Sequence, residues 1–125
     1  MTSCRPTQLP GWRWSRGMID ATGRVILRVD PDGRPVEWAV PSVRVGRHLV
    51  ADWPAWPNAA QPDLDDRATG GCLLAMLGDH SAASYAVGVW MASAAIPFAS
   101  GQGTSLGRAC FAVALALGRW PGGAP

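Results

Sequence analysis

The stretch PDLDDRATGGCLLAML, residues 62 to 77, sets three aspartates ahead of a Gly-Gly pair and an apolar run. Its reading decides how the second half of the chain folds. Ala68, Cys72, Leu73, Met76 and Leu77 recur at helical spacing, which predicts a helix over 67–77. Asp66 stands at the N-cap, where a carboxylate accepts from the unpaired amides of the first turn. Asp63 and Asp65 lie near the positive end of the helix dipole. Gly78 falls where a left-handed C-terminal residue is wanted. Acid–base or metal chemistry needs carboxylates that converge with a base, a nucleophile or further ligands, and this segment supplies none. The cluster reads as a helix start.

Outward from that helix the pattern changes. RVILRV (24–29), DPDG (30–33) and PVEWAV (35–40) read as strand, turn, strand, with Val25, Leu27 and Val29 alternating against Arg24, Ile26 and Arg28. SVRVGRHLV (42–50) alternates again and adds a third antiparallel strand. Residues 52–62 hold three prolines and two tryptophans and form a connector. Past the central helix, SYAVGVWMA (84–92) reads as one strand that buries Tyr85, Val87, Val89 and Met91, and AIPFAS as its short return. Thr104 or Ser105 caps a closing helix whose inward stripe is Leu106, Cys110, Val113 and Leu117, and which Gly118 ends. The expected fold is α+β: one antiparallel sheet of about four to five strands with two helices on one face. A single domain spans 1–125, divided into an irregular lead-in (1–16), a β-rich part (17–51), the connector (52–62), an α-β-α part (63–120) and a tail (121–125).

Composition narrows the function. At 48% hydrophobic and 16% charged, the chain is too apolar for disorder across its middle and C-terminal parts. Its apolar runs are far shorter than a membrane crossing needs, and the N-terminus lacks the apolar core of a signal peptide. A cytoplasmic location in a bacterial host is expected. Cys4, Cys72 and Cys110 show no paired spacing, so neither a disulfide framework nor a zinc site is expected; Cys72 and Cys110 read as buried thiols. Residues 1–62 hold eight arginines against five acids, a net of +3, and residues 63–125 three against four, a net of −1. That is too dilute for a nucleic-acid footprint.

Other motifs weaken on inspection. DPDG resembles the opening of a calcium loop, but Arg34 and Pro35 occupy positions that need a ligand and a glycine. GQGTSLG resembles a phosphate loop, yet Leu106 stands where the third glycine belongs, and the chain has no lysine. His80 has Asp79, Ser81 and Ser84 near it in sequence, and a small enzyme centred on His80 is one alternative reading; sequence proximity does not assemble a triad. No cofactor and no catalytic residue is expected. The seven tryptophans depart furthest from ordinary composition. Trp38 and Trp90 fall in strands, whereas Trp12, Trp14, Trp53 and Trp56 fall in irregular segments. Tryptophan and arginine dominate binding hot spots, and GWRWSR (11–16) interleaves them. Trp12, Arg13, Trp14, Arg16, Trp53 and Trp56 are the expected partner-binding residues.

The central motif, followed by an Ala/Leu helix opening on GTS, resembles small proteins carried by phages and prophages of GC-rich bacteria. Their pattern is similar to PDLxDxATxGCLLALxREAWGD, then a strand, then GxTEAEALVAALEAA, with PGM near the N-terminus. Pro62, Asp63, Leu64, Asp66, Ala68, Thr69, Gly71, Cys72, Leu73, Leu74, Ala75 and Leu77 match; Arg16-Gly17-Met18 and Thr104 match more loosely. The REAWGD extension is cut to Gly78-Asp79, and the glutamates of the closing helix are absent. The resemblance implies phage origin and no known reaction. With the missing chemistry, it leads to the expectation of a non-enzymatic accessory protein that binds a host protein or ribonucleoprotein complex and inhibits a host defence, as anti-CRISPR proteins do. The alternative is a nucleic-acid-binding accessory protein using Trp and Arg.

Overall fold

A computed structural model describes residues 4–42, 46–49, 55–95 and 97–122. The DPDG segment turns as expected. Asp30 Oδ1 accepts from the amides of Asp32 and Arg34, both at 2.9 Å, and Gly33 adopts a φ of +80°. The turn joins β1 (Val25–Val29) to β2 (Pro35–Ser42), and β3 (Gly46–Leu49) completes a three-stranded antiparallel sheet in the order β1-β2-β3. Register shifts on either side of Arg28 bend β1. The buried residue of β1 is Ile26, opposite buried Trp38. Simple alternation placed Val25, Leu27 and Val29 on the apolar face; all three are half-buried.

The outer edge of β1 is closed by Gly17–Asp20. Gly17 donates to the Ile26 carbonyl and Ile26 donates to the Met18 carbonyl, each at 2.9 Å. Asp20 is buried there and fully satisfied: its carboxylate accepts from the amides of Thr22 and Arg24, the Thr22 hydroxyl and the Arg24 guanidinium. A buried carboxylate with four donors is stable where an unpaired one is not.

Residues 62–77 bind this β layer to the helices. Asp63 donates its amide to the Ile19 carbonyl at 2.8 Å. Asp66 caps α1 (Arg67–Ala75) by accepting from Thr69 N at 2.8 Å. The buried Thr69 hydroxyl accepts from the Ile19 amide at 2.9 Å. α2 (Leu106–Leu117) starts at Ser105, which caps it, and ends at Gly118 with φ +75°. The first turn of α2 sits tight against the segment that leads into α1. A Cβ on Gly107 would lie 2.3 Å from the Leu64 carbonyl, so only glycine fits.

The remaining strands form a second antiparallel sheet, β4 (Ala82–Ala86), β5 (Val89–Ala95) and β6 (Phe98–Gly103), in the order β4-β5-β6. α2 lies on β5 and β6, pressed so near that a Cβ on Gly101 would stand 2.7 Å from that of Ala112. Ala92, Ala94, Cys110 and Val113 are buried between them. Among the described residues the fold is α+β with two α-helices, as expected, but with two three-stranded sheets and not one sheet of four to five strands. The additional strand arises at Val87-Gly88. Both residues take positive φ, +51° and +77°, which is the two-residue hairpin geometry. The expected strand 84–92 is therefore a hairpin.

Between the first sheet and α2 runs a chain of indoles. Trp38 meets Trp56 at 4.9 Å between ring centroids, Trp56 meets Trp14 at 5.2 Å, Trp14 meets Trp12 at 5.2 Å, and Trp12 meets Trp120 at 5.7 Å. All four contacts are edge-to-face, the arrangement the ring quadrupole favours. This series joins the lead-in, the connector and the segment after α2 into one core.

Candidate binding surface

The aspartates of the opening motif are joints. Asp66 caps, and Asp63 Oδ1 accepts from the Asp65 amide at 3.0 Å. Asp65 grips the Arg108 guanidinium with both oxygens, at 2.8 and 3.1 Å. That hydrogen-bonded pairing, helped by Ser105, holds the Asp65 carboxyl below its ordinary value. The pair ties the start of α1 to the first turn of α2. A helix start was legible; the bridge to α2 was not.

The expected Trp/Arg surface is placed differently. Trp14 and Trp56 are only 7% and 8% exposed and belong to the core, which corrects the exposure that made them candidate anchors. Trp12 is half-buried between Trp14 and Trp120. Arg13 folds back, its guanidinium donating to the Pro31 carbonyl, and packs over Gly33. Arg16 is exposed, with no hydrogen bond or ion pair from its side chain among the described residues. Trp53 lies outside the described residues. The physical reason is edge-to-face packing: irregular backbone can carry indoles inward as readily as a strand can, and five tryptophans supply enough apolar surface to form a core here.

The histidine alternative gains no geometry. His80 is exposed, and the hydroxyl of neighbouring Ser81 donates to the Leu74 carbonyl at 2.9 Å. Cys110 is buried, its thiol pushed up to about 12 by desolvation. Cys72 is half-buried, and desolvation followed by the nearby Asp66 charge raises its pKa. Among the described residues, no three His, Cys, Asp or Glu side chains converge as metal ligands would. No described helix is long and apolar enough to cross a membrane.

The surface that sequence reasoning missed is the second sheet. From Ser81 to Gly107 there is no aspartate, glutamate, arginine, lysine or histidine. Cross-strand register puts Ser84, Met91 and Gln102 on one face, with Ala86 opposite Val89 and Ala95 opposite Phe98. This face is turned away from α2, whose side of the sheet carries Ala92, Ala94 and Gly101. Phe98 is 76% exposed and Val87, at the hairpin tip, 98%; Val89 and Met91 are also exposed. Among the described residues, the only large exposed apolar side chain away from this sheet and its hairpin is Leu115.

Two further features mark the hairpin. Val87 holds a left-handed φ although it is β-branched, a conformation that costs on the order of 1–2 kcal/mol. One pair back from the turn, Tyr85 and Trp90 meet at 5.2 Å and line a cleft of about 640 Å³ with Arg67, Thr104, Ser105 and Asp65. The missing charge could have been noticed in the sequence. The exposure could not, because one strand between helices and a bare hairpin have the same alternation.

No protein-family model matches the chain, and neither a curated protein nor a solved structure matches it.

Proposed function

We propose that this chain acts by binding another protein, and that its recognition surface is the β4–β5 hairpin with the open face of the second sheet. One observation carries the reading. Among the described residues, every exposed large apolar side chain but Leu115 lies on a sheet or hairpin without a single charge, in a chain that places its arginines and acids elsewhere. Large apolar side chains left exposed on an uncharged surface mark interaction sites. A protein surface suits it better than nucleic acid, because no cation lies within the sheet to meet a phosphate backbone. The resemblance of residues 62–77 to phage-borne proteins supports a bacterial host protein or ribonucleoprotein as the partner, and inhibition of a host defence as the outcome.

The test is capture from the presumed host after nuclease treatment, with wild type beside a Met91→Glu, Phe98→Ser double variant. Both side chains are exposed, so the variant should melt within a few degrees of wild type. The expected result is a nuclease-resistant partner lost with the variant. A partner retained by the folded variant, or removed by nuclease, overturns the reading.

A further inference from the structure

The two sheets treat their edges differently. In the first sheet, the outer edge of β1 is covered by Gly17–Asp20, bent by register shifts and carries Arg28. These are the devices by which natural sheets avoid edge-to-edge pairing. β4 has none of them. Its sequence, AASYA, has no charge and no proline, its register against β5 is unbroken, and no strand pairs with its other side among the described residues. The helix layer covers β5 and β6 and leaves β4 overhanging, with Ser84, Tyr85 and Ala86 all exposed. The opposite edge, β6, is less suited. It follows Pro97, contains Gly101 and Gly103, and lies tight against α2.

The hairpin fixes which backbone groups β4 offers. Ala86 and Val89 flank the two-residue turn and exchange hydrogen bonds, so Ser84 and Ala82 also point their amides toward β5. Ala83 and Tyr85 then point theirs outward.

We propose that β4 pairs antiparallel with β4 of a second copy about a twofold axis at Ser84, joining two three-stranded sheets into one of six. Ala83 of each copy would face Tyr85 of the other in hydrogen-bonded pairs. Ser84 would face its own counterpart at the site where side chains come closest. A second copy is the occupant because twofold pairing brings the same short segment together around the axis at Ser84, where a charge would meet its own kind. The absence of charge makes this edge self-compatible. Five residues a strand make a small contact, so the dimer should be weak and concentration-dependent. The inference goes beyond the proposed partner binding and does not rest on it.

Sedimentation equilibrium over a wide concentration range tests the pairing on wild type, Ser84→Lys, Ser84→Glu and an equimolar mixture of the two variants. Ser84 is exposed, so each variant should keep the wild-type circular dichroism. The expected result is a wild type that dimerises at high concentration, two monomeric variants, and a heterodimer in the mixture through opposed charges. Amide exchange at Ala83 and Tyr85 should slow as wild-type concentration rises. A monomeric wild type at the highest concentration, a variant that dimerises alone, or amides indifferent to concentration overturns the proposal.

Discussion

The indole Nε1 of Trp120 donates to the carbonyl of Pro6 at 3.0 Å, across 114 positions of sequence. The Trp120 amide donates to the Pro10 carbonyl at 2.8 Å, so two bonds hold Pro6–Pro10 to the segment after α2, over Trp12 and Phe111. Trp120→Phe keeps much of the ring volume and leaves the Pro6 carbonyl without its donor. It should lower stability by about 1–3 kcal/mol in urea unfolding. Trp120→Ala should cost about 3–5 kcal/mol. A phenylalanine variant as stable as wild type would show that the clasp contributes only through packing.

The Asp65–Arg108 pair makes a smaller and pH-dependent contribution. Both side chains are more than half exposed, so Asp65→Asn should cost no more than a few tenths of a kcal/mol at neutral pH. Pairing lowers the folded-state pKa of Asp65 below 3.8, so its stabilisation is present above that value and disappears as pH falls through the folded-state value. The stability difference between wild type and Asp65→Asn should therefore vanish in strong acid. Asp66→Ala should cost about 1 kcal/mol through the lost cap on Thr69. A difference between wild type and Asp65→Asn that grows toward acid would contradict the pairing.

The cysteines should react in a graded order. Cys4 is exposed, Cys72 half-buried and Cys110 buried. Thiolates are the reactive form, and burial raises the pKa of both Cys72 and Cys110. With a bulky maleimide, timed mass spectrometry should find Cys4 labelled first, Cys72 next and Cys110 only on unfolding. Early labelling of Cys110 would mean that α2 does not close over the second sheet as described.

Local chemistry was the legible part of this fold. Asp66 and Ser105 sit at cap positions, Gly118 ends its helix and DPDG turns, because each depends on a few neighbouring residues. Non-local burial was less legible. Trp14 and Trp56 lie in irregular segments, and only the assembled indole chain makes them core. The hairpin was hidden for another reason. Val87 is a poor turn residue, and a valine ahead of a lone glycine looks like strand to any reading based on propensity. An assumed buried strand likewise concealed the exposed side chains of β5.

Val87 joins backbone strain to the proposed recognition surface and so gives the most discriminating test. A β-branched residue at φ +51° costs stability, and at 98% exposure it recovers almost none through contacts within the chain. Asparagine tolerates left-handed backbone far better and suits the first position of this turn. Val87→Asn should therefore raise stability by about 1 kcal/mol, read as a higher melting temperature and urea midpoint. If the hairpin tip is the part presented to a protein partner, the same change should weaken binding by about 1 kcal/mol or more, since it replaces an apolar contact with a polar one. Calorimetry against the captured partner measures the second effect, and thermal unfolding the first. Stability up with binding down is the pattern of a residue retained for recognition. Stability up with binding unchanged would place the interface elsewhere on the sheet, at Met91 and Phe98. A loss of stability would show that Val87 makes intramolecular contacts in solution, and the strain argument would fail with it.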